Sequence, residues 1–209
     1  MALNNLLSNM KGERGLNGAL GSADGGALVS RFTNKRAART LLRTGGLMAI
    51  GGLAWQAYGS YRSGQQQRGA ISLQAMPRQR FESVLSTQHE NPAMGMVLQA
   101  MIAAAHADRH FSDIEQTQIW QCAMDLGATG SELAALTLTM AHPPSIDDLA
   151  SGTEALETRV QMYLASCMVI DEHSEQGQKF LQYFASRLRL PPPLVEALEN
   201  PLRTEPVAA

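Results

Sequence analysis

The sequence predicts an all-α protein whose main part is a helical bundle of two helix-corner-helix repeats. From residue 91 onward, apolar side chains recur at intervals of three and four, which is the spacing of one buried helix face. Serine residues that can cap exposed helix amides stand before several of these apolar stripes. No stretch in this region alternates with period two over a useful length, so we expect no strands.

Composition limits the classes of function. A chain of 209 residues has room for one ordinary domain with extensions. The formal charge of -2 gives no overall basic excess of the kind that a nucleic-acid binder shows, so we expect no nucleic-acid partner. Cys122 and Cys167 fall on predicted apolar helix faces outside any metal-binding spacing, which favours buried free thiols over a disulfide.

The N-terminal half divides by composition into three parts. Residues 1–30 are rich in glycine and poor in large apolar groups, which predicts a flexible N-terminus that is retained because it has no secretory h-region. Residues 31–62 are first basic and then apolar and glycine-rich, and they predict a membrane segment. Residues 63–90 are polar and contain Pro77, which predicts a linker with a short helix near residues 80–85.

The predicted membrane segment is short. Counted from Leu41, with Arg43 reaching toward the headgroups, the apolar stretch is about 18 residues, near the lower limit for a spanning helix. Trp55 and Tyr58 are typical of a membrane interface. Small residues would permit close helix packing and an oligomer through this segment, namely Gly45, Ala49 and Gly52. The alternative is a glycine-rich amphipathic helix that lies on the membrane or on the protein itself.

Residues 91–200 are predicted to form the helical domain, followed by a tail at 201–209, and we expect the domain to fold alone with six or seven helices. Asn91 is the predicted cap of its first helix, and Ser112 precedes Glu115 at the spacing of a capping box. A third helix is predicted to begin near Ser131. The remaining predicted starts are Ser145, Ser151 and Ser174.

A shift of 62 residues aligns the two halves of this domain. It places Ser112 on Ser174 and Leu126 on Leu188, and apolar positions fall on apolar positions between them. The shift predicts two similar units, although any two capped helical hairpins resemble each other at this level.

Two acidic corners are the candidate site. Asp108 and Glu115 flank the corner between the first two predicted helices, and Asp171 lies at the equivalent corner of the second unit. Carboxylates brought together from both corners could hold a hard cation such as Ca²⁺ or Mg²⁺. The same residues are equally well explained as turn and capping residues, and we expect no other cofactor.

The segments AMIAAAHADRHFSDIEQ and IDEHSEQGQKFLQYFASRLRL resemble the TerB-like helical domain of the tellurite-resistance family. The basic and then glycine-rich N-terminal half resembles the YebE-like inner-membrane proteins. The TerB-like resemblance implies divalent-cation binding at the acidic corners, with Asp108 and Glu115 as the matching positions. The sequence departs from that pattern at Arg109, where a glycine is usual, and at Gly177, where a glutamate is usual.

We therefore expect a non-enzymatic, membrane-tethered binding or scaffold protein with membrane lipid and an unidentified protein as partners, linked to envelope or tellurite-type stress. A divalent-cation sensor is the alternative. An enzyme is disfavoured because the chain has no GxSxG, P-loop or dinucleotide-binding motif, and no catalytic residue is assigned. The positive-inside rule would place the helical domain outside an inner membrane. Two free thiols and the TerB-like resemblance favour the cytoplasmic side instead, and we expect a single anchor there.

Overall fold

The structure is a computed structural model that describes residues 47–69, 73–85, 92–107, 111–125, 127–170 and 174–203. These residues form nine helices and no strand, which confirms the all-α prediction. The helices are α1 (Leu47–Gln67), α2 (Arg78–Val84), α3 (Pro92–Ala105), α4 (Asp113–Asp125), α5 (Gly130–Ala141), α6 (Ile146–Ser151), α7 (Leu156–Val169), α8 (Glu175–Arg187) and α9 (Pro192–Arg203).

Helix α7 is the centre of the bundle. Eleven of its 14 residues are buried, so it has no solvent-facing stripe of the kind that an amphipathic surface helix shows. Helices α1, α2, α3, α8 and α9 pack around it, and its contact with α3 is the most extensive in the described part of the chain. The core therefore depends on helices from both halves of the sequence.

The helix bounds confirm the internal repeat. Adding 62 to the bounds of α4 gives 175–187, which are the bounds of α8. Adding 62 to the bounds of α5 gives 192–203, which are the bounds of α9. The same shift places α3 two residues before α7. The bundle thus contains two three-helix units, α3–α5 and α7–α9, joined by α6.

Helix α1 is packed onto the second unit. It lies against α2, α7 and α9, and it buries an apolar stripe against them: Ile50, Leu53, Ala54, Ala57 and Tyr58. It continues to Gln67, so the boundary predicted at residue 62 falls inside this helix. Within the predicted membrane segment, the described residues 47–62 belong to a helix that lies on the protein.

No helix in the part of the chain that the structure describes is both long and apolar enough to cross a membrane. Residues 31–46 of the predicted membrane segment, with five of its basic residues and Gly45, lie outside the described residues, as does the side chain of Ala49.

The residues that were predicted to lie at a membrane interface hold the following segment in place. The Trp55 indole N–H donates a hydrogen bond to the Met76 carbonyl at 3.2 Å. The Tyr58 hydroxyl donates to the Gln74 carbonyl at 2.8 Å. Together they fix residues 73–77 along α1, so part of the predicted linker is an ordered connection to α2.

The helix starts agree with most of the predicted caps. Ser174 Oγ accepts a hydrogen bond from the Gly177 N–H at 3.0 Å, as predicted. Ser145 also caps its helix, and α4 begins directly after Ser112. Helix α5 begins at Gly130, near Ser131 as predicted, and its cap is Thr129, which forms a capping box with Glu132.

Two further cap predictions have a different outcome. Ser151 was predicted to begin a helix, but it ends α6, and its hydroxyl donates to the Asp148 carbonyl. Helix α7 starts five residues after Ser151, at Leu156, and its N-cap residue Ala155 provides no side-chain cap. Asn91 lies outside the described residues, although α3 begins at Pro92 as predicted.

Two adjacent glycines of α1 should respond oppositely to alanine. At Gly51 a Cβ would lie 2.9 Å from the Phe81 carbonyl oxygen, so Gly51→Ala should lower the free energy of unfolding by about 1–3 kcal/mol. At Gly52 no described atom lies within 4 Å of a Cβ, so Gly52→Ala should raise it by up to about 1 kcal/mol through helix propensity. Urea denaturation measures both; equal effects would show that α1 is not seated on α2 in this way.

Because α1 and α2 cover one side of α7, the fragment 91–200 should not fold as a stable unit. Removal of these two helices also removes buried Ile50, Tyr58 and Phe81 from the core. Thermal denaturation followed by circular dichroism should show a cooperative transition for the full chain and for residues 47–203, and a weak or absent one for residues 91–200. A fragment that melts as sharply and at the same temperature as the full chain would contradict this packing.

Candidate functional site

The predicted cation site lies mostly outside the described residues. Asp108 and Asp171 are not described, and Glu115 is placed in α4 without a description of its side chain. Among the described residues, no group of three or more His, Cys, Asp or Glu side chains is placed to hold a metal ion. Cation binding at the acidic corners therefore stays a prediction.

Packing accounts for the glycine at the second corner. Gly177 is buried in the first turn of α8, where a Cβ would come within 2.5 Å of Ile170 Cγ2. A side chain at this position would collide with the residue that ends α7. Gly177 is thus required by the close approach of the two helices, whatever the acidic residues nearby do.

Histidine and cysteine side chains near the corners have structural environments. His106 Nε2 lies 3.0 Å from the Met140 carbonyl, and its ring stacks on Phe111 at 4.3 Å between centroids. This is the arrangement expected of a structural histidine, and it ties the ends of α3 and α5 together. Cys122 and Cys167 are buried and form no disulfide, as predicted.

Buried polar side chains connect α7 to its neighbours. The Gln161 amide donates to the Phe81 carbonyl of α2 at 2.6 Å. The Ser166 hydroxyl lies 3.2 Å from the Ala100 carbonyl of α3 and 2.9 Å from the Met162 carbonyl of its own helix. Polar groups in a core stabilise the fold only when they are paired, so these contacts fix where α2 and α3 sit.

An ion pair also connects α7 to α2. Arg80 donates through Nε and Nη2 to Glu157 Oε1, at 3.0 and 2.7 Å. The Glu157 carboxylate is almost fully buried, while the arginine side chain is about half-exposed. Glu157 Oε2 and Gln161 Oε1, one turn apart on α7, are buried without a hydrogen-bond partner in the described part of the chain. Removing Arg80 would leave a buried charge unpaired, which is strongly destabilising.

The third polar connection joins α7 to α9. The Tyr163 hydroxyl donates to Glu199 Oε1 at 2.6 Å. Burial of the ring raises the pKa of Tyr163 far above its usual value, and the neighbouring Glu199 and Cys167 raise it further. The phenol is therefore neutral in the folded protein and serves as a hydrogen-bond donor.

The structure reveals a surface feature on α5 that sequence reasoning missed. Ala134, Leu138 and Ala141 are exposed on one side of the helix, at spacings of four and three. With 69% of its surface exposed, Leu138 is the most exposed of the large apolar residues in the described part of the chain. We call these three residues the α5 outward face. The absence of charge at these positions was the available signal, but the periodicity of α5 was interpreted only through its buried side.

A second surface feature lies on α1 and α2. Trp55 is 38% exposed, and the Arg78 guanidinium carbon lies 6.0 Å from the centroid of its ring. Arg62 follows Trp55 by seven residues, and therefore lies on the same side of α1, while Arg68 comes just after the helix. We call Trp55, Arg62, Arg68 and Arg78 the α1–α2 basic surface.

The fold and these surfaces define a protein of two similar three-helix units, with an N-terminal helix packed on the second unit. A family model described as a protein of unknown function (DUF533) matches residues 12–202. The chain belongs to the DUF533 family. No curated protein and no solved structure matches it.

The raised pKa of Tyr163 predicts a loss of stability in alkali. Unfolding returns the phenol to a pKa near 10, so its contribution is complete below pH 10 and declines as the pH rises above that value, by up to about 1.4 kcal/mol per pH unit. Tyr163→Phe should cost about 1 kcal/mol at pH 7 through the lost hydrogen bond to Glu199. The variant should then lose less stability than the wild type between pH 10 and 11. Urea denaturation at both pH values measures this; identical pH slopes would refute it.

Proposed function

We propose that the chain is a non-enzymatic helical binding or scaffold protein that attaches to the surface of an anionic membrane. The observation that carries this proposal is the α1–α2 basic surface, where an exposed tryptophan lies beside an arginine on a helical hairpin. Indole rings and arginines are typical of protein segments that lie in the headgroup region. The attachment we propose is peripheral, because the apolar stripe of α1 is already buried against α7 and α9.

The charge distribution of the N-terminal part of the chain supports attachment to an anionic surface. Residues 47–85 contain four arginines and one acidic residue; Arg78 pairs with Glu82 and Arg80 with Glu157, so Arg62 and Arg68 carry the excess positive charge. Residues 1–46 contain seven lysines and arginines and two acidic residues. The cytoplasmic leaflet of a membrane carries anionic lipid, and each nearby basic residue contributes about 1 kcal/mol of attraction. The proposed location is therefore the cytoplasmic face of a bacterial-type inner membrane.

The sequence resemblance adds a finer assignment to this proposal. We infer that the two three-helix units are a TerB-like domain, and that the whole chain is similar to the YebE-like inner-membrane proteins. The internal repeat and the acidic corners are what support that assignment. A role in envelope or tellurite-type stress follows from the same resemblance, and the α5 outward face offers a surface on which such a protein could bind another.

Vesicle sedimentation of the full chain tests the membrane attachment. The wild type should bind vesicles of phosphatidylglycerol and phosphatidylcholine, and bind phosphatidylcholine alone weakly. The double variant Arg62→Gln/Arg68→Gln should bind the anionic vesicles about tenfold more weakly, since it loses two attractive charges. Lys179→Gln/Arg189→Gln is the matched control, because it removes the same charge from α8 and the turn after it.

Equal loss of binding in both double variants would mean that only net charge matters, and would contradict a defined surface. Binding that survives alkaline carbonate extraction of cell membranes would show an integral anchor in place of the peripheral attachment proposed here.

A further inference from the structure

The repeat provides an internal reference for the α5 outward face. Ala134 and Leu138 correspond through the shift of 62 to Glu196 and Asn200 of α9. Both pairs are exposed, so burial in the core does not determine the residue type in either unit. Helix α9 has a charged and an amide side chain at these positions, whereas α5 has two apolar ones. Exposed apolar groups confer no stability on the free protein, so the fold does not account for this difference.

The two helices also differ in their neighbours. Helix α9 packs against α7 and is covered by α1. Helix α5 packs mainly against α3 and α4, and none of the other described helices has a comparable contact with it. The second unit is therefore completed by a helix from the N-terminal part of the chain, while the first unit has no described equivalent. Helix α1 on α9 is an example, within this protein, of a helical segment that covers such a unit. We therefore expect the partner of α5 to be a helical segment as well.

Charge decides what kind of segment fits. Residues 110–155, which include α4, α5 and α6, contain seven acidic residues and no lysine or arginine. Arg187 of α8 pairs with Asp147 at 2.5 Å and neutralises one of these acids. The stretch still carries a net negative charge, which favours a cationic partner and speeds its association.

The same charge disfavours two other occupants. An anionic lipid surface would be repelled by the net negative charge of residues 110–155. A second copy bound through its own α5 would bring two acidic regions together, because a twofold contact uses the same patch on both molecules. We propose that the α5 outward face binds a cationic amphipathic helix of another protein, with the apolar side of that helix on Leu138. This rests on the proposed binding role, and it does not depend on membrane attachment.

Fluorescence anisotropy with the full chain tests the proposal. The probe is a labelled 14-residue peptide of leucine and lysine, arranged so that the leucines share one helix face. It should bind the wild type, and binding should weaken as salt is added. The variant Ala134→Glu/Leu138→Asn replaces both residues by those that α9 has at the equivalent positions, Glu196 and Asn200. It should fold normally, because α9 tolerates these residues, and it should bind the peptide about tenfold or more weakly, because the apolar contact is lost.

Three controls make the result specific. A peptide of the same composition with its leucines scattered around the helix should bind much more weakly than the amphipathic one. Glu196→Gln/Asn200→Ala on α9 should leave binding unchanged. Thermal denaturation should give the double α5 variant the melting temperature of the wild type; if it does not, Leu138→Asn alone serves in its place.

Equal affinity of wild type and α5 variant, or equal binding of both peptides, would overturn the proposal. Loss of vesicle binding in the α5 variant would overturn the proposal in favour of a lipid surface. Loss, in that variant, of a self-association that sedimentation velocity detects for the wild type would overturn it in favour of a second copy. Normal vesicle binding without peptide binding would refute this inference and leave the proposed membrane attachment intact.

Discussion

The burial of α7 on every side is the constraint on which the rest of the structure depends. A helix without a solvent-facing stripe is stable only when other helices cover its whole circumference. Helix α3 covers one side, α8 and α9 another, and α1 with α2 the remainder. The polar side chains of α7 then need partners within the protein, and Gln161 and Ser166 find them in the carbonyl groups of α2 and α3.

The Phe81 carbonyl shows how closely these parts fit. It accepts the Gln161 amide from α7, and it also lies where a Cβ on Gly51 of α1 would come. Three helices thus meet at one backbone group, and only glycine permits the approach of α1. Among the described glycines of α1, Gly51 is the one that meets the neighbouring backbone, whereas Gly52, which the sequence spacing indicated, faces open space among the described atoms. Spacing alone could not identify the glycine that meets the neighbouring backbone.

Elements whose signals are local were predictable from the sequence. The repeat of 62 residues, the Ser174 cap and the start of α3 at Pro92 depend on spacing and on hydrogen bonds within a few residues. The position of α1 was not predictable in the same way, because a glycine-rich apolar helix has the same composition whether lipid or protein covers it. The start of α5 near Ser131 was predicted to within one residue, and its cap is Thr129, which has Glu132 at the third position of a capping box. The acidic corners depend on the approach of two loops, which spacing cannot establish.

Comparison of equivalent positions in the two units shows which residues the fold requires and which it does not. Leu136 and Leu198 occupy equivalent buried positions, and the core requires an apolar side chain at both. Leu138 and Asn200 also occupy equivalent positions, but these are exposed, and the asparagine shows that this site tolerates a polar residue within the same fold. The leucine is therefore not explained by packing within its own unit. In a repeat protein, the residue at the equivalent position of one unit shows which residue types the fold tolerates in the other unit. By that criterion α5, and not the buried polar side chains of α7, is where a function beyond folding is to be sought.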